Sequence, residues 1–146
     1  MRLSQKGEYG LHALLELAQR YGEGPVQAGA IAESRHIPAQ YLPQILISLR
    51  RSGLIRSGRG PRGGHELARP AAEITLLSAV EALEGSIASA SCGDPDEPPA
   101  CGERDMCVLA GVWRRVDEAT RSILGGITLA DLAREERERR TTPMYY

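Results

Sequence analysis

Residues 39–53, AQYLPQILISLRRSG, carry the strongest structural signal in the chain. Apolar residues recur there at spacings of three, one and three, the pattern of one buried helical face. Pro43 falls in the first turn, where its missing N–H would have no intrahelical partner. The stretch predicts a helix over residues 39–52 that ends at Gly53. Its apolar stripe is Leu42, Ile45, Leu46 and Leu49, and its polar face is Gln40, Tyr41, Gln44, Ser48 and Arg51.

Two helices are predicted ahead of this one. The first begins after Ser4, a good N-cap residue, and runs to about Tyr21, where glycine and proline follow. The second covers residues 28–35 and breaks at His36-Ile37-Pro38, because a residue before proline disfavours the helical conformation. Short, broken helices followed by a polar-faced one are typical of a helix-turn-helix.

A glycine-rich hairpin is predicted directly after the helix-turn-helix. Residues 54–57 and 65–68 have strand character on either side of the turn GRGPRGG, residues 58–64. The turn lacks the lysine of a Walker loop and the strand–glycine–helix order of a dinucleotide site. Arg59 and Arg62 lie at its tip without an acidic neighbour. We interpret the hairpin as a wing that reaches a phosphate backbone or a minor groove.

The charge of the chain is unevenly distributed. Residues 1–70 contain ten Lys/Arg and five Asp/Glu (+5), and residues 71–146 contain eight and fourteen (−6), which gives the net charge of −1. A basic unit of this kind is typical of a module that binds a polyanion. Together with the helix-turn-helix it predicts double-stranded DNA as partner, since a helix fits the major groove and its side chains reach base edges. The predicted DNA-contacting residues are Gln40, Tyr41, Gln44, Arg50, Arg51, Arg59 and Arg62.

The acidic half is predicted to contain three further helices. The first starts after Thr75 and ends before Gly85, and a loop then extends to a long helix that begins after Cys107. Thr128 and Asp131 form a capping box for a last short helix, whose tail at residues 134–140 we expect to be solvated or frayed. Apolar residues of the long helix alternate spacings of three and four, which indicates a dimer seam. The seam is Leu109, Val112, Val116, Ala119 and Ile123.

The predicted fold is therefore mainly α, a winged helix-turn-helix with a two-stranded wing and a long dimerisation helix. The predicted division is a DNA-binding region over 1–70, a connecting helix over 71–85, a cysteine-bearing loop over 86–107 as the candidate binding site of an iron–sulfur cluster, and dimerisation and C-terminal helices over 108–146.

The three cysteines, Cys92, Cys101 and Cys107, have the spacing C-x8-C-x5-C. Clustering of this kind outside a secreted protein favours metal over disulfides, and the odd number leaves one thiol without a partner. Thiolates suit zinc and iron–sulfur clusters, but the C-x2-C pairs usual for structural zinc are absent. An iron–sulfur cluster, two-iron or four-iron, is the favoured interpretation. A thiol redox switch, a zinc site and inert cysteines are the alternatives.

Other function classes receive little support. The longest apolar runs are four or five residues, too short to span a bilayer. The first residues lack a signal-peptide pattern, so we expect a cytoplasmic protein without a membrane partner. No histidine neighbours the cysteines in sequence as a catalytic base would. We therefore expect neither an enzyme nor a small-molecule substrate.

Several segments resemble the Rrf2 family of bacterial winged-helix regulators, with its IscR-like and NsrR-like branches. They are YLPQIL at 41–46, LRRSGLI at 49–55, RGPRGGHELARP at 59–70, the cysteine loop, and TLADL at 128–132. The resemblance implies a homodimeric transcription factor whose operator affinity is controlled by an iron–sulfur cluster that senses redox state, nitric oxide or cluster supply. The alternative is a cluster-free, thiol-based redox-sensing repressor.

The chain differs from the family pattern at three places. The first cysteine gap is eight residues instead of five, Ala110 stands where IscR-like members have a histidine ligand, and His65 replaces the usual aromatic residue of the wing. NsrR-like members use an acidic ligand from the first helix of the other subunit, and Glu8 occupies that position. His36 is a further candidate by analogy with other relatives. The resemblance thus implies Cys92, Cys101, Cys107 and Glu8 as metal ligands, with His36 as an additional cofactor-binding candidate.

Overall fold

Six α-helices and a two-stranded antiparallel sheet form the described part of the chain. The computed structural model describes residues 1–94, 96, 98 and 107–143. The helices are α1 (Gln5–Gln19), α2 (Ala28–Arg35), α3 (Leu42–Arg51), α4 (Leu76–Glu84), α5 (Val108–Gly125) and α6 (Leu129–Thr141), the strands are β1 (Ile55–Gly58) and β2 (Gly64–Leu67), and short 3-10 turns lie at Ala71–Glu73 and Ser91–Gly93. This arrangement confirms the predicted fold class.

The helix-turn-helix consists of α2 and α3, packed on α1. The α2 helix ends at His36, which adopts the left-handed conformation at φ 53° and turns the chain. The α3 helix begins at Leu42 and not at residue 39, because the amide of Tyr41 bonds the Pro38 carbonyl at 3.0 Å and closes a separate turn. Gln40 therefore lies before the helix, which corrects the predicted boundary.

The wing is anchored to the segment that precedes α2. The β1–β2 register runs from Ile55 opposite Leu67 to Gly58 opposite Gly64. The backbones of Val26 and His65 also exchange two hydrogen bonds of 2.8 Å. Ile55 and Leu67 are buried, so the base of the wing joins the core while its tip projects into solvent.

The α6 helix folds back onto α1. Leu129 and Ala133 are buried, and the Leu129 amide bonds the Ile74 carbonyl at 2.9 Å. Residues 134–140 are exposed, as expected, except for the half-buried Glu136. The stretch is not frayed, because the helix continues to Thr141. Glu136 in this stretch is paired with Arg35 of α2, a long-range contact that the local charge pattern does not reveal.

The α5 helix is covered by the rest of the chain over only a small part of its surface. Cys107 is its N-cap residue, and Ala110 is the one buried residue along the helix. It packs against α4 and against the turn at Ser91–Gly93. Among the described helices none is long and apolar enough to cross a membrane.

Candidate functional site

The exposed face of α3 carries polar and basic side chains. Gln44, Arg50 and Arg51 are exposed, as is Gln40 in the preceding turn. Ile47 is also exposed, at 38% of its surface, between Gln44 and the arginines. A helix with this face presents amide and guanidinium donors for base edges and phosphates, with an apolar contact for a thymine methyl group.

Tyr41 occupies a different position from its neighbours on this surface. Its hydroxyl donates to Oε1 of Gln5 at 3.2 Å, and its ring lies against Tyr9 with centroids 5.4 Å apart. Nζ of Lys6 donates to Oγ of Ser48 at 2.8 Å. The first turns of α1 thus support α3, and Ser48 is half-buried against α1 although the sequence places it on the polar face.

The wing tip carries arginines that are available to an anion. Arg59 and Arg62 are exposed. Across the described residues no carboxylate forms an ion pair with either of them, whereas Arg56 on β1 is paired with Glu66 at 2.8 Å. Arg50 and Arg51 at the end of α3 also lack such a pair within the described ranges, so four guanidinium groups remain for phosphates.

His65 lies at the root of the wing, opposite Ser57 on β1. Its Nδ1 is 2.7 Å from the Ser57 hydroxyl oxygen, and the side chain is half-buried. Burial and the positive charge of Arg50 lower the pKa of His65 below its usual value. The neutral imidazole is therefore favoured at neutral pH, and it packs the wing beside the end of the recognition helix.

Two cysteines lie on the structured borders of the cysteine segment. Cys92 is in the turn Ser91–Gly93, which packs against α5, and Cys107 is the residue that precedes α5. Both thiols are free and half-buried. Ser89 fastens the segment to α5, since its amide and hydroxyl donate to Oδ1 of Asp117 at 2.9 and 2.6 Å. Cys101 lies outside the described residues.

The other two candidate ligands, Glu8 and His36, lie on the helix-turn-helix half of the chain. Glu8 is exposed and lines a cavity of about 340 Å³ with His12 and leucines of α1, α4 and α6. His36 is exposed at the turn of the helix-turn-helix. Within residues 1–94, 96, 98 and 107–143 no three His, Cys, Asp or Glu side chains come close enough to hold a metal ion.

The sequence pattern does not identify Ile47 or Lys6 as part of this surface, nor the pairing of His65 with Ser57. The predicted helix contains Ile47, but neither its predicted apolar stripe nor its predicted polar face includes it. Lys6 and the pairing of His65 with Ser57 depend on contacts across 42 and 8 residues. The sequence offers one signal for this surface: Ile47 is apolar but falls outside the spacing of the buried stripe, which indicates an exposed apolar residue.

Comparison with known proteins gives a consistent picture. The family described as "Rrf2: Iron-dependent Transcriptional regulator" matches residues 3–135. The HTH-type transcriptional regulator IscR of Xenorhabdus nematophila is 35% identical over 136 residues, 93% of this chain and 81% of the relative.

Solved structures are similar over nearly the whole chain. The structure of T. potens IscR has a TM-score of 0.78 and 34% identity, and covers 99% of this chain and 95% of its own. The structure of CymR, titled the global cysteine regulator of B. subtilis, has a TM-score of 0.74 and 34% identity, and covers 92% of this chain and 98% of its own.

Proposed function

The chain belongs to the Rrf2 family of transcriptional regulators, and on this premise we propose that it is a homodimer whose affinity for operator DNA is controlled by an iron–sulfur cluster. As a member of this family it is a DNA-binding regulator and not an enzyme. The observation that carries the cluster proposal is the position of two free, half-buried thiols at the borders of one segment, both beside α5.

The α3 helix and the wing would contact different parts of the DNA. Gln44 is placed for a bidentate contact with an adenine edge in the major groove, and Gln40 for a contact from the turn. Arg50 and Arg51 at the end of α3 would bind guanine or phosphate. Arg59 and Arg62 would enter the adjoining minor groove or hold phosphates, as the wing tip carries no acid to compete. Tyr41, already held by Gln5 and Tyr9, would position the helix and touch phosphate.

The exposed seam of α5 supports the homodimer. Leu109, Val112, Val116 and Ile123 are each 41–63% exposed within one chain. Apolar side chains at this spacing suit a second helix packed alongside. Each such residue contributes about 1.5–3 kcal/mol when it moves from full exposure to full burial, so a seam of four stabilises a dimer substantially.

The donor set fits an iron–sulfur cluster. Thiolates are the ligands that iron–sulfur clusters prefer, and Cys92 and Cys107 are partly shielded from solvent without being locked in a disulfide. Cys101 would be the third ligand, and the partner's Glu8 the fourth, since within the described part of one chain no three His, Cys, Asp or Glu side chains form a metal site. His36, at the turn beside the DNA face, is the weaker candidate. When bound, the cluster supplies a centre that reacts to redox state, nitric oxide or iron supply.

Contacts of α1 connect this centre with the recognition helix. The amide and hydroxyl of Ser4 donate to Oε1 of Glu84 at 2.8 and 2.7 Å, just before the cysteine segment begins. Two residues later, Lys6 bonds Ser48 of α3. A ligand role for Glu8 would therefore act on the same helical turns that hold α3 in place.

The second candidate function is a cluster-free thiol sensor, in which two cysteines are oxidised to a disulfide. It is favoured by the free state of both described cysteines and by the similarity to a cysteine regulator. The two functions differ in a direct observable, because only the first requires bound iron.

Anaerobic purification tests the proposal. The wild-type protein should contain iron and absorb visible light, and Cys92→Ser and Cys107→Ser should each lose both properties. Ser86→Ala, in the same segment, is the control that should retain them. Colour and iron that persist when all three cysteines are replaced by serine would refute the ligand assignment. An iron-free wild type that forms a disulfide in air would support the thiol sensor.

The DNA face is tested with the wing. Arg59→Ala should weaken binding and flatten its salt dependence, because one phosphate contact and its counterion release are lost. Arg56→Ala is the matched control, since Arg56 is already paired with Glu66. Equal behaviour of the two variants would exclude the wing tip from the interface.

A further inference from the structure

A buried charge network joins α6 to the helix-turn-helix. The guanidinium of Arg35 lies between two carboxylates, with Nε 2.7 Å from Oε2 of Glu16 and Nη2 3.0 Å from Oε2 of Glu136. Nε2 of Gln19 donates to the same Glu136 oxygen at 2.7 Å and to the Ala133 carbonyl at 3.0 Å. Three helices, α1, α2 and α6, are thus tied by one set of hydrogen bonds.

The network is shielded from solvent. The side chains of Arg35 and Glu16 are each 6% exposed, and that of Glu136 is 21% exposed. Hydrogen bonds from Arg35 lower the pKa of Glu136 to about 2, so the pair stays charged at neutral pH. Separating the two partners of a buried pair leaves each charge without compensation, which is strongly unfavourable. The relative position of Arg35 and Glu136 is therefore firmly held.

The network connects the reading head, which consists of α2, α3 and the β1–β2 wing, with the helices that follow the cysteine segment. Arg35 is the last residue of α2 and directly precedes the left-handed His36, where the helix-turn-helix turns. Glu136 lies on α6, which follows α5 after a short connection at residues 126–128. The start of α6 is fixed by the Thr128–Asp131 capping box. The same start is bonded to the beginning of α4, because the Leu76 amide bonds the Ile127 carbonyl at 2.8 Å and the Leu129 amide bonds the Ile74 carbonyl at 2.9 Å. Since α4 packs against α5, Glu136 ties the turn of the helix-turn-helix to the framework that holds α5.

We propose that Glu136 is a positioning residue for DNA recognition, which holds the helix-turn-helix at a fixed orientation to α5 through Arg35 and so sets the half-site spacing that the dimer accepts. This inference rests on the proposed homodimeric DNA binding. Glu136 is remote in sequence from the predicted DNA-contacting residues, and its role is exerted through Arg35.

The dependence of affinity on the spacing of the half-sites distinguishes a positioning role of Glu136 from a purely stabilising one. Each inserted base pair rotates the second half-site by about 34° and moves it by about 3.4 Å. A dimer with firmly held heads discriminates against such insertions, while a dimer with loosened heads tolerates them. Loss of stability alone would lower the fraction of folded protein and reduce binding to every duplex equally.

The experiment uses the full-length protein and duplexes of about 30 base pairs, long enough for two half-sites, selected from a random library by the wild type. Affinity is measured for the selected duplex, for the same duplex with one or two base pairs inserted at its centre, and for a duplex with one half-site. The variants are Glu136→Gln and its matched control Glu135→Gln, the neighbouring residue of α6 whose partner is the exposed Arg139.

Glu136→Gln should bind the selected duplex about 3- to 30-fold more weakly and lose most of the wild type's discrimination against the insertions. Its affinity for the single half-site should stay within about twofold of wild type, and Glu135→Gln should match wild type throughout. Gln19→Ala is the second variant, because it removes bonds between α1 and α6 without unpairing a buried charge. It should shift discrimination in the same direction.

Two results would overturn the inference while leaving the proposed function intact. One is unchanged discrimination in both Glu136→Gln and Gln19→Ala; the other is an equal loss of affinity for full and single half-sites. A wild type that selects no duplex at all would remove the proposed function, and this inference with it.

Discussion

At the scale of single residues, the wing depends on a close approach of two backbones. Gly64 has φ +140°, and a Cβ atom built on it would lie 2.7 Å from the carbonyl carbon and oxygen of Val26. The neighbouring His65 exchanges two backbone hydrogen bonds with Val26. A side chain at position 64 would therefore separate the wing from the body of the domain.

Gly64→Ala should destabilise the protein by about 2 kcal/mol or more, since it combines an unfavourable backbone conformation with a clash against rigid backbone. Gly29→Ala is the control with the opposite sign. Gly29 lies in α2 with open space at its Cβ, so alanine should stabilise by about 0.5–1 kcal/mol. Urea unfolding measures both changes, and similar stabilities of the two variants would contradict this account of the wing.

The second prediction at this scale concerns His65. Its pKa in the folded protein is lowered by burial and by Arg50, so the unfolded state binds more protons around and below the unfolded pKa of about 6.5. Its contribution to the free energy of unfolding is therefore complete above about pH 6.5 and is lost as the pH falls through the folded pKa.

Urea unfolding of wild type and His65→Gln at about pH 7.5 and 5.5, values on either side of the unfolded pKa, measures this term. The variant should show a smaller loss of stability on acidification than wild type. An identical pH dependence in wild type and His65→Gln would exclude the proposed environment of His65.

At the scale of secondary-structure elements, local capping signals were reliable where they decided the boundary. The sequence predicts α2 over residues 28–35, α4 after Thr75 and the capping box at Thr128, and the structure has all three. Two boundaries differ from the prediction. A local turn at residues 38–41 delays the start of α3, and α6 continues through an exposed, charged stretch in which Glu136 is paired with the distant Arg35.

The same limit applies to the candidate site. The arginines of the wing tip and the polar face of α3 were recognisable because residue type and spacing suffice to expose them. The supporting contacts of Lys6 with Ser48 and of Tyr9 with Tyr41 join α1 to α3, and no pattern within either helix encodes them. The cysteine ligands remain a prediction from sequence.

The apolar seam of α5 is predicted to hold the dimer together. Val112→Glu combined with Val116→Glu should convert the dimer to a monomer, because two charges per helix would be buried in the interface. Arg114→Glu, an exposed change on the same helix, is the control that should remain dimeric. Sedimentation equilibrium gives the mass, and the single tryptophan, Trp113 beside the seam, should lose its fluorescence shift on dilution in the monomeric variant. A dimer that persists in the double variant would place the interface elsewhere.

At the scale of the whole molecule, α1 and α6 lie between the basic reading head and the cysteine segment. Ser4 bonds Glu84 at the end of α4, just before the segment, and Glu136 bonds Arg35 at the turn of the head. We propose these two contacts as the routes by which a change at the thiols would reach the DNA face. Both routes would change the half-site spacing only in a symmetric pair of chains, because a single chain binds a single half-site.

The most direct test is the affinity of anaerobically purified protein for a duplex that it has selected, measured before and after iron is removed by a chelator. The account predicts iron and visible absorption in the purified dimer and a change in affinity of about tenfold or more when both are lost, a free-energy coupling of about 1.4 kcal/mol. Protein that is colourless and iron-free under strict anoxia, and that still binds its selected duplex with full affinity, would contradict it.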